Sequence, residues 1–101
     1  MHHIYILKLI SRLIPDENWT EADNKIVERH FYRLQDLKKE GKLILAGRTT
    51  QGGEDQFGIV ILKADEEEAR KLMNEDPAVK EGIMTAELYP YSVALIDENN
   101  V

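Results

Sequence analysis

Two side chains in this sequence have the chemistry to move or orient a proton, His30 and Asp76. An imidazole titrates near neutral pH and therefore suits a general acid or base. A carboxylate that accepts a hydrogen bond from one ring nitrogen fixes the tautomer and makes the other nitrogen more basic. The two residues lie far apart in the sequence, so their spacing alone does not show whether they meet.

Each of these residues also has an ordinary structural explanation. His30 lies in or beside the apolar stripe of a predicted helix, where ring nitrogens are commonly satisfied by main chain or water. Asp76 precedes Pro77, and an Asp before a proline is a frequent N-cap of a short helix. Taken singly, the two residues leave both the catalytic and the structural interpretation open.

Arg48 and Tyr5 are the candidate substrate-binding residues. Arg48 lies near the end of a predicted strand and can bind an anionic substrate, although an arginine on an edge strand usually faces water. Tyr5 lies on the first predicted strand. No metal site is expected, because the chain has no cysteine and the adjacent His2 and His3 point to opposite faces of a strand.

The composition excludes several classes of protein. With 101 residues, 43% of them hydrophobic and 32% charged, the chain fits one folded domain and is not compositionally disordered. The formal net charge of −6, with scattered basic residues, argues against nucleic acid as a partner. No apolar stretch approaches the ~20 residues that span a bilayer, and no basic signal-peptide region is present, so we expect no membrane partner and a cytoplasmic location.

Local patterns predict strands at residues 2–9, 42–50, 57–63 and 83–88, with a short fifth strand at 93–96. Two helical segments separate them. The order βαββαβ predicts an α+β fold of the ferredoxin-like kind, in which two helices cover one face of an antiparallel sheet. We expect a single domain over residues 1–96 and a disordered tail over 97–101.

The helices have clear start and stop signals. The first begins at a capping box around Thr20 and ends at Gly41, and the second begins after Asp65 and breaks at Pro77, with one more turn ahead of Gly82. The spacing of the first helix predicts a buried stripe that consists of Ile26, Val27, Phe31, Leu34 and Leu37.

The predicted strands are apolar on both faces. In the first strand Tyr5 and Leu7 alternate with Ile4 and Ile6, whereas a sheet with one solvated face should alternate apolar with polar residues. Two helices cover only one face, so we expect a homodimer that pairs through the open face. The alternative is a monomer whose tail and long loops cover that face.

The ordered set of motifs resembles the YciI-like (YCII-related) proteins over roughly residues 25–90 and the first strand. The similarity rests on Arg29-His30, the helix to Leu37, Gly41-Lys42-Leu43, Ala46-Gly47, Phe57 to Leu62, Asp65 to Ala69, and Asp76-Pro77-Ala78-Val79 with Gly82. Two features depart from the family pattern. Members often have Gly-Pro where this chain has Gly47-Arg48, and the loop at residues 11–19 is long.

This resemblance implies a ferredoxin-like subunit that dimerises through its sheet, as in the dimeric α+β barrel proteins. It implies an active site around a His and an Asp, which correspond here to His30 and Asp76. One relative acts as a dehydrochlorinase on a chlorinated hydroxyquinol, and the wider superfamily includes muconolactone isomerase. Such activities need no metal or flavin, so no cofactor is expected.

The leading hypothesis is a small cofactor-independent enzyme, a lyase, isomerase or dehydrochlorinase, that acts on a small metabolite. His30 would move a proton and Asp76 would orient it, in a cleft between helices and sheet. The alternative is a non-catalytic ligand-binding or regulatory dimer. A heme or quinone monooxygenase of the dimeric barrel group is a further alternative. No residue pattern names the substrate.

Overall fold

The structure, a computed structural model, describes residues 1–100, so the last residue of the predicted tail lies outside the described part. The strands are β1 (His2–Leu9), β2 (Leu43–Arg48), β3 (Gly58–Lys63) and β4 (Met84–Tyr91), and the helices are α1 (Glu21–Lys39), α2 (Glu66–Glu75) and α3 (Pro77–Lys80). Short 3₁₀ turns occupy Ser11–Leu13, Asp16–Asn18 and Glu98–Asn100.

The four strands form one antiparallel sheet in the order β2-β3-β1-β4. This order and the two helical crossovers are those of the ferredoxin-like fold, which confirms the predicted fold class. In the middle of the sheet, Tyr5 pairs with Val60 on one side and with Leu88 on the other. Directly paired residues share a face, so this register decides which side chains point toward the helices.

The ends of α1 follow the sequence signals. The Thr20 hydroxyl accepts a hydrogen bond from the Asp23 amide, and the Asp23 carboxylate accepts one from the Thr20 amide, which completes a capping box. After the helix, Gly41 has a φ of 77°, a conformation that only glycine adopts without strain. These ends fix the bounds of α1, and therefore the helical turn on which His30 lies.

The core lies between the helices and the sheet in two clusters. The larger one contains Tyr5, Leu7, Leu34, Leu37, Val60, Leu62, Ala64, Ala69, Leu72 and Met73. The smaller one contains Leu13, Ala78 and Ile83, with the partly buried Leu9, Ile10, Trp19, Ile26, Val27 and Met84 packed against it. The second cluster joins the segment after β1 to α1 and α3.

The prediction that Phe31 belongs to the buried stripe of α1 is wrong. Phe31 is 57% exposed, whereas Leu34 and Leu37 are buried and Ile26 packs against the smaller cluster. The inward stripe passes through His30 instead, because His30 lies four residues after Ile26 and four before Leu34. Phe31 is rotated about 100° from that line, onto the flank of the helix.

The predicted fifth strand is also wrong. Residues 93–96 are all described and none of them is in a strand. Instead of pairing along a neighbouring strand, the Val93 amide donates a hydrogen bond to Nδ1 of His2 at 3.2 Å, and Leu95 is 94% exposed. The strand that was predicted at residues 83–88 is longer than expected and continues as β4 to Tyr91.

The face of the sheet away from the helices has two central cross-strand rows. One row runs through Leu45, Ile61, Ile4 and Tyr89, and the other runs through Gly47, Ile59, Ile6 and Glu87. Most of these side chains are apolar, as the two-sided pattern of the strands predicted. Among residues 1–100, no helix is both long enough and apolar enough to cross a membrane.

Candidate active site

Asp76 occupies the junction between α2 and α3, and the local sequence places it there. Pro77 cannot continue the hydrogen-bond ladder of α2, so the chain turns and restarts as α3. The Asp76 carboxylate caps this short helix by accepting a hydrogen bond from the Ala78 amide at 2.9 Å. The predicted capping role is therefore present. The same carboxylate is only 1% exposed and has two further partners.

His30 is the first of these partners. Its Nδ1 lies 2.7 Å from Oδ1 of Asp76, across the contact between α1 and α3. The His30 side chain is 13% exposed, so the ring is mostly enclosed without being sealed off. The structure thus brings together the two residues that the sequence singled out for proton chemistry. It also shows that the capping and pairing functions of Asp76 coexist.

Tyr5 is the second partner. Its hydroxyl donates a hydrogen bond to Oδ2 of Asp76 at 2.8 Å, from the middle of β1. Burial, together with the adjacent Asp76 carboxylate, raises the pKa of the Tyr5 hydroxyl far above its ordinary value. Tyr5 therefore stays neutral and remains a donor. We call His30, Asp76 and Tyr5 the His–Asp–Tyr network.

The network fixes the state of the imidazole. An ionised carboxylate only accepts hydrogen bonds, so the proton between His30 and Asp76 belongs to Nδ1. Nε2 then carries the lone pair when the ring is neutral. Among the residues that the structure describes, none bonds to Nε2, and the His30 side chain keeps 13% of its surface exposed. A ring nitrogen that has no internal partner, on a ring oriented by a buried carboxylate, is equipped to take and return a proton.

Arg33 lies beside the network, and no signal in the sequence singles it out. It follows His30 by one helical turn on α1 and pairs with Glu75, the residue before Asp76, at 3.3 Å. Its positive charge opposes the rise in the Tyr5 pKa, which places it within electrostatic reach of that hydroxyl. Within residues 1–100, its Nε is the one buried side-chain nitrogen or oxygen that has no hydrogen-bond partner.

The two predicted substrate-binding residues lie in different surroundings. The Tyr5 side chain has no exposed surface, so in this conformation it can influence a substrate only through Asp76. Arg48 pairs with Gly58, which pairs with Leu7, so Arg48 is on the same face of the sheet as Tyr5, two strands away and one row along. Strand spacing puts the two Cα atoms about 12 Å apart.

Arg48 lines a cavity of about 300 Å³ whose walls include Leu9, Leu13 and Trp19 but neither His30 nor Asp76. A second, shallower cavity of about 510 Å³ lies on the outside of α1, between Arg29, Tyr32 and Glu81. Neither of these two cavities is lined by His30 or Asp76, so neither is the cleft that was expected around that pair. Arg48 and the His–Asp–Tyr network belong to different regions of the same subunit.

The fold and the paired histidine and aspartate define a class of small α+β proteins with a ferredoxin-like subunit. Within that class, the chain belongs to the YCII-related domain family, whose model matches residues 9–91. This result confirms the family resemblance inferred from the motifs. No curated protein matches the chain.

Solved structures of similar fold include the 5-chloro-2-hydroxyhydroquinone dehydrochlorinase TftG from Burkholderia phenoliruptrix AC1100, in complex with 2,5-dihydroxybenzoquinone. The two chains superpose with a TM-score of 0.69 and are 17% identical. The match covers 91% of this chain and 94% of that one. At this identity, the similarity supports the fold.

Proposed function

We propose that this protein is a small enzyme of the YciI-like type that catalyses a proton transfer on a small metabolite, either an elimination or an isomerisation. The observation that carries the proposal is the 2.7 Å contact between His30 Nδ1 and Asp76, which leaves Nε2 without a partner among residues 1–100. Family membership and the fold shared with a dehydrochlorinase support it. Such reactions need a placed base more than they need a cofactor.

In the proposed reaction, Nε2 of His30 is the base. It takes a proton from the substrate, and the resulting imidazolium is stabilised by the buried Asp76 carboxylate. In an elimination, the electron pair of the broken bond to hydrogen forms a double bond while the leaving group departs with its own pair. In an isomerisation, the imidazolium returns the proton to a different atom of the substrate.

Asp76 and Tyr5 act as positioning residues. The Asp76 carboxylate has one oxygen shared by the His30 ring and the Ala78 amide, and the other oxygen is bonded to the Tyr5 hydroxyl. With both oxygens bonded, the carboxylate cannot rotate away from the ring. Tyr5 thereby supports His30 indirectly, which replaces direct substrate contact as its proposed role.

Chloride release from 5-chloro-2-hydroxyhydroquinone is the first activity to measure, since the dehydrochlorinase of similar fold is named for that compound. If this compound is a substrate, His30→Gln should lower the rate by about 10²–10⁴-fold, because glutamine can still donate to Asp76 but cannot take a proton. His2→Gln is the matched control, since His2 lies at the end of β1 and outside the network. Full activity in His30→Gln would exclude His30 as the base.

The proposal can also be tested without a known substrate, by recording the ring signals of His30 in NMR spectra against pH. An accessible base should titrate and should respond to Asp76→Asn, which removes the carboxylate charge while keeping the shape of the side chain. His3, whose buried ring bonds to the Ala64 carbonyl at 2.8 Å, is the internal control. If the ring signals of His30 change neither with pH nor in Asp76→Asn, a purely structural role of His30 is supported.

We also infer that the functional unit is a homodimer that pairs through the open face of the sheet. Leu45, Tyr89 and Tyr91 on the β2 and β4 edges are each more than two-fifths exposed, and the isoleucine rows of β1 and β3 lie between the two edges. A contiguous apolar surface of this kind normally packs against a partner. A second copy of the same sheet is self-complementary under two-fold symmetry.

Size-exclusion chromatography with light scattering tests the dimer. We expect the mass of two chains at micromolar concentration and a shift to one chain in Ile6→Glu, which places a charge in the centre of the face. Tyr32→Glu, at an exposed position on α1, is the control and should leave the mass unchanged. A wild-type protein that elutes as a single chain would disprove the dimer.

A second candidate function is a non-catalytic ligand-binding module. The observation that favours it is the Arg48 cavity, which lies away from the His–Asp–Tyr network. A binding module would use that cavity without needing a solvent-accessible base. The two functions are distinguished by His30→Gln, which should remove turnover in an enzyme and leave ligand affinity unchanged in a binding module.

A further inference from the structure

The cavity at Arg48 is built by three separate segments of the chain. Leu9 and Leu13 come from the end of β1 and the following turn, Trp19 comes from the segment before α1, and Arg48 and Gln56 come from the β2–β3 hairpin. Its volume of about 300 Å³ is at the lower end of the range for small-molecule sites and suits a molecule with a single ring.

Arg48 is the positively charged group of this cavity, and it is unlike the other arginines. In the part of the chain that the structure describes, the remaining arginines each pair with a carboxylate: Arg12, Arg29, Arg33 and Arg70. The Arg48 side chain forms neither an ion pair nor a hydrogen bond with any described residue. Its guanidinium therefore has all of its donors available to a ligand, in the planar arrangement that matches a carboxylate.

Another part of the lining is apolar and is held in place. The Trp19 indole donates a hydrogen bond to the Leu13 carbonyl at 2.9 Å, and both residues belong to the smaller core cluster around Ala78 and Ile83. Leu13 has no exposed surface. An indole fixed beside aliphatic side chains provides a flat, polarisable surface for an aromatic ring.

Two further polar groups narrow the ligand class. The Gln56 side-chain oxygen accepts the Gly52 amide at 2.9 Å, which orients the amide group, and its NH₂ bonds to none of the residues 1–100. Asp16 also lines the cavity and is exposed, so its carboxylate is available as a hydrogen-bond acceptor. A ligand that places an anion at Arg48 and a hydroxyl at Asp16 would satisfy both charges.

We propose that this cavity binds a small planar anion with a single aromatic ring, such as a hydroxylated benzoate, with its charged group on Arg48 and its ring against Trp19. The inference goes beyond the proton chemistry at His30 and does not depend on it, because no residue of the His–Asp–Tyr network lines the cavity. Since Asp16 repels a second negative charge, a ligand with one charge and one neutral hydroxyl fits best.

Fluorescence of Trp19 tests the proposal directly, since it is the only tryptophan in the chain. The probes are 4-hydroxybenzoate and its neutral counterpart 4-hydroxybenzamide, which has nearly the same shape. We expect a saturable change in Trp19 emission with the anion and an affinity about tenfold weaker for the amide, the size expected for one charge-assisted contact. Equal affinity for both probes, or no saturable change up to millimolar anion, would overturn the proposal.

Variants localise the binding. Arg48→Gln should weaken 4-hydroxybenzoate binding about tenfold or more, and Arg48→Lys should weaken it less, because lysine keeps the charge but loses the planar pair of donors. Arg70→Gln is the matched control, as an exposed arginine on α2 that pairs only with Glu66. Unchanged binding in Arg48→Gln would overturn the assignment.

His30→Gln separates this proposal from the enzymatic one. It should leave the fluorescence titration with 4-hydroxybenzoate unchanged, whether or not it removes turnover. If His30→Gln abolishes the Trp19 response while Arg48→Gln keeps it, the anion binds at the network and the cavity proposal fails. Circular dichroism spectra that match the wild type establish that each variant is folded before its affinity is compared.

Discussion

The His–Asp–Tyr network and the Arg48 cavity present opposite ways of building a site into one small subunit. In the network, a strand, a long helix and a helix junction converge on a carboxylate that is 1% exposed, and every hydrogen bond of that carboxylate is internal. In the cavity, an exposed guanidinium on an edge strand has no internal partner in the described chain. The network is part of the core, whereas the Arg48 side chain lies on the surface.

This contrast has an energetic consequence. A buried charge that is already bonded is pre-organised, but the removal of one partner leaves the others unsatisfied in a region that water does not reach. An exposed side chain is hydrated before a ligand binds, and its replacement leaves nothing unsatisfied. Substitutions should therefore disturb stability and chemistry together in the network, and should disturb binding alone at Arg48.

The largest effect is expected for Asp76→Ala. This change leaves the Tyr5 hydroxyl, the His30 ring and the Ala78 amide without their acceptor, and we expect a loss of about 3–5 kcal/mol in the free energy of unfolding. Urea unfolding followed by circular dichroism measures it. The control is Asp65→Ala, which removes the exposed N-cap of α2 and should cost about 1 kcal/mol. Equal losses would mean that Asp76 is only a cap.

Tyr5→Phe should have the next largest effect, about 1–2 kcal/mol, because it removes one buried hydrogen bond and keeps the ring. The pKa of Tyr5 is raised in the folded protein, so the stability that the hydroxyl contributes is fully present below pH 10.0 and is lost as the pH rises above that ordinary value. Wild type should therefore lose stability above pH 10 more steeply than Tyr5→Phe.

Urea unfolding at pH 8 and at pH 11 checks this expectation. Tyr91→Phe is the matched control, since Tyr91 is 43% exposed and forms no hydrogen bond through its hydroxyl among the residues described. A difference between wild type and Tyr5→Phe that stays constant across both pH values would show that the hydroxyl does not couple to folding through its ionisation.

The network was only partly predictable from the sequence. Helical spacing puts His30 on the inward stripe of α1, and Pro77 fixes Asp76 as a cap, so both positions follow from local rules. Their contact depends on how α1 lies against α3, which no local pattern specifies. The contact between Tyr5 and Asp76 depends in addition on the sheet register. The position of Arg33 beside the network depends on the helix packing and on the register together. For this reason the sequence predicted a different role for Tyr5 and none for Arg33.

For the Arg48 cavity, the sequence predicts a single residue but not how the lining is assembled. Its residues come from the loop at 11–19 and from the β2–β3 hairpin, where turn residues define chain direction but not the relative position of two loops. The sequence identified Arg48 as an anion-binding candidate because of its charge. It could not identify Trp19 as part of the same lining, since the position of that residue is set by packing on the cluster of Leu13, Ala78 and Ile83.

A smaller effect is expected at the start of α1, outside both regions. Asp23 accepts two hydrogen bonds from Arg12, at 2.9 and 3.0 Å, and this pairing ties the turn below the cavity to the helix that carries His30. The Arg12 guanidinium and the Thr20 amide hold the pKa of the Asp23 carboxyl well below its ordinary value of 3.8. Its stabilising contribution is therefore present above pH 3.8 and is lost as the pH falls below that value.

Asp23→Asn should consequently be less stable than wild type at pH 7, and the difference should shrink as the pH is lowered below 3.8. Thermal unfolding across this range measures it, with Asp36→Asn on the same helix as the control at an exposed site. We also expect Asp23→Asn to weaken binding at the cavity and to leave the His30 ring signals unchanged. A shift of the His30 signals would show that the two regions are coupled through α1.

The smallest effect on stability is expected at Arg48. Arg48→Gln removes an exposed side chain with no partner in the described structure, so the free energy of unfolding should stay within about 0.5 kcal/mol of the wild type. The same substitution is expected to have the largest effect on anion binding, which reverses the order found in the network. If Arg48→Gln instead lost as much stability as Tyr5→Phe, the guanidinium would have to be engaged internally in solution, and the division between a core-built site and a surface-built one would no longer hold.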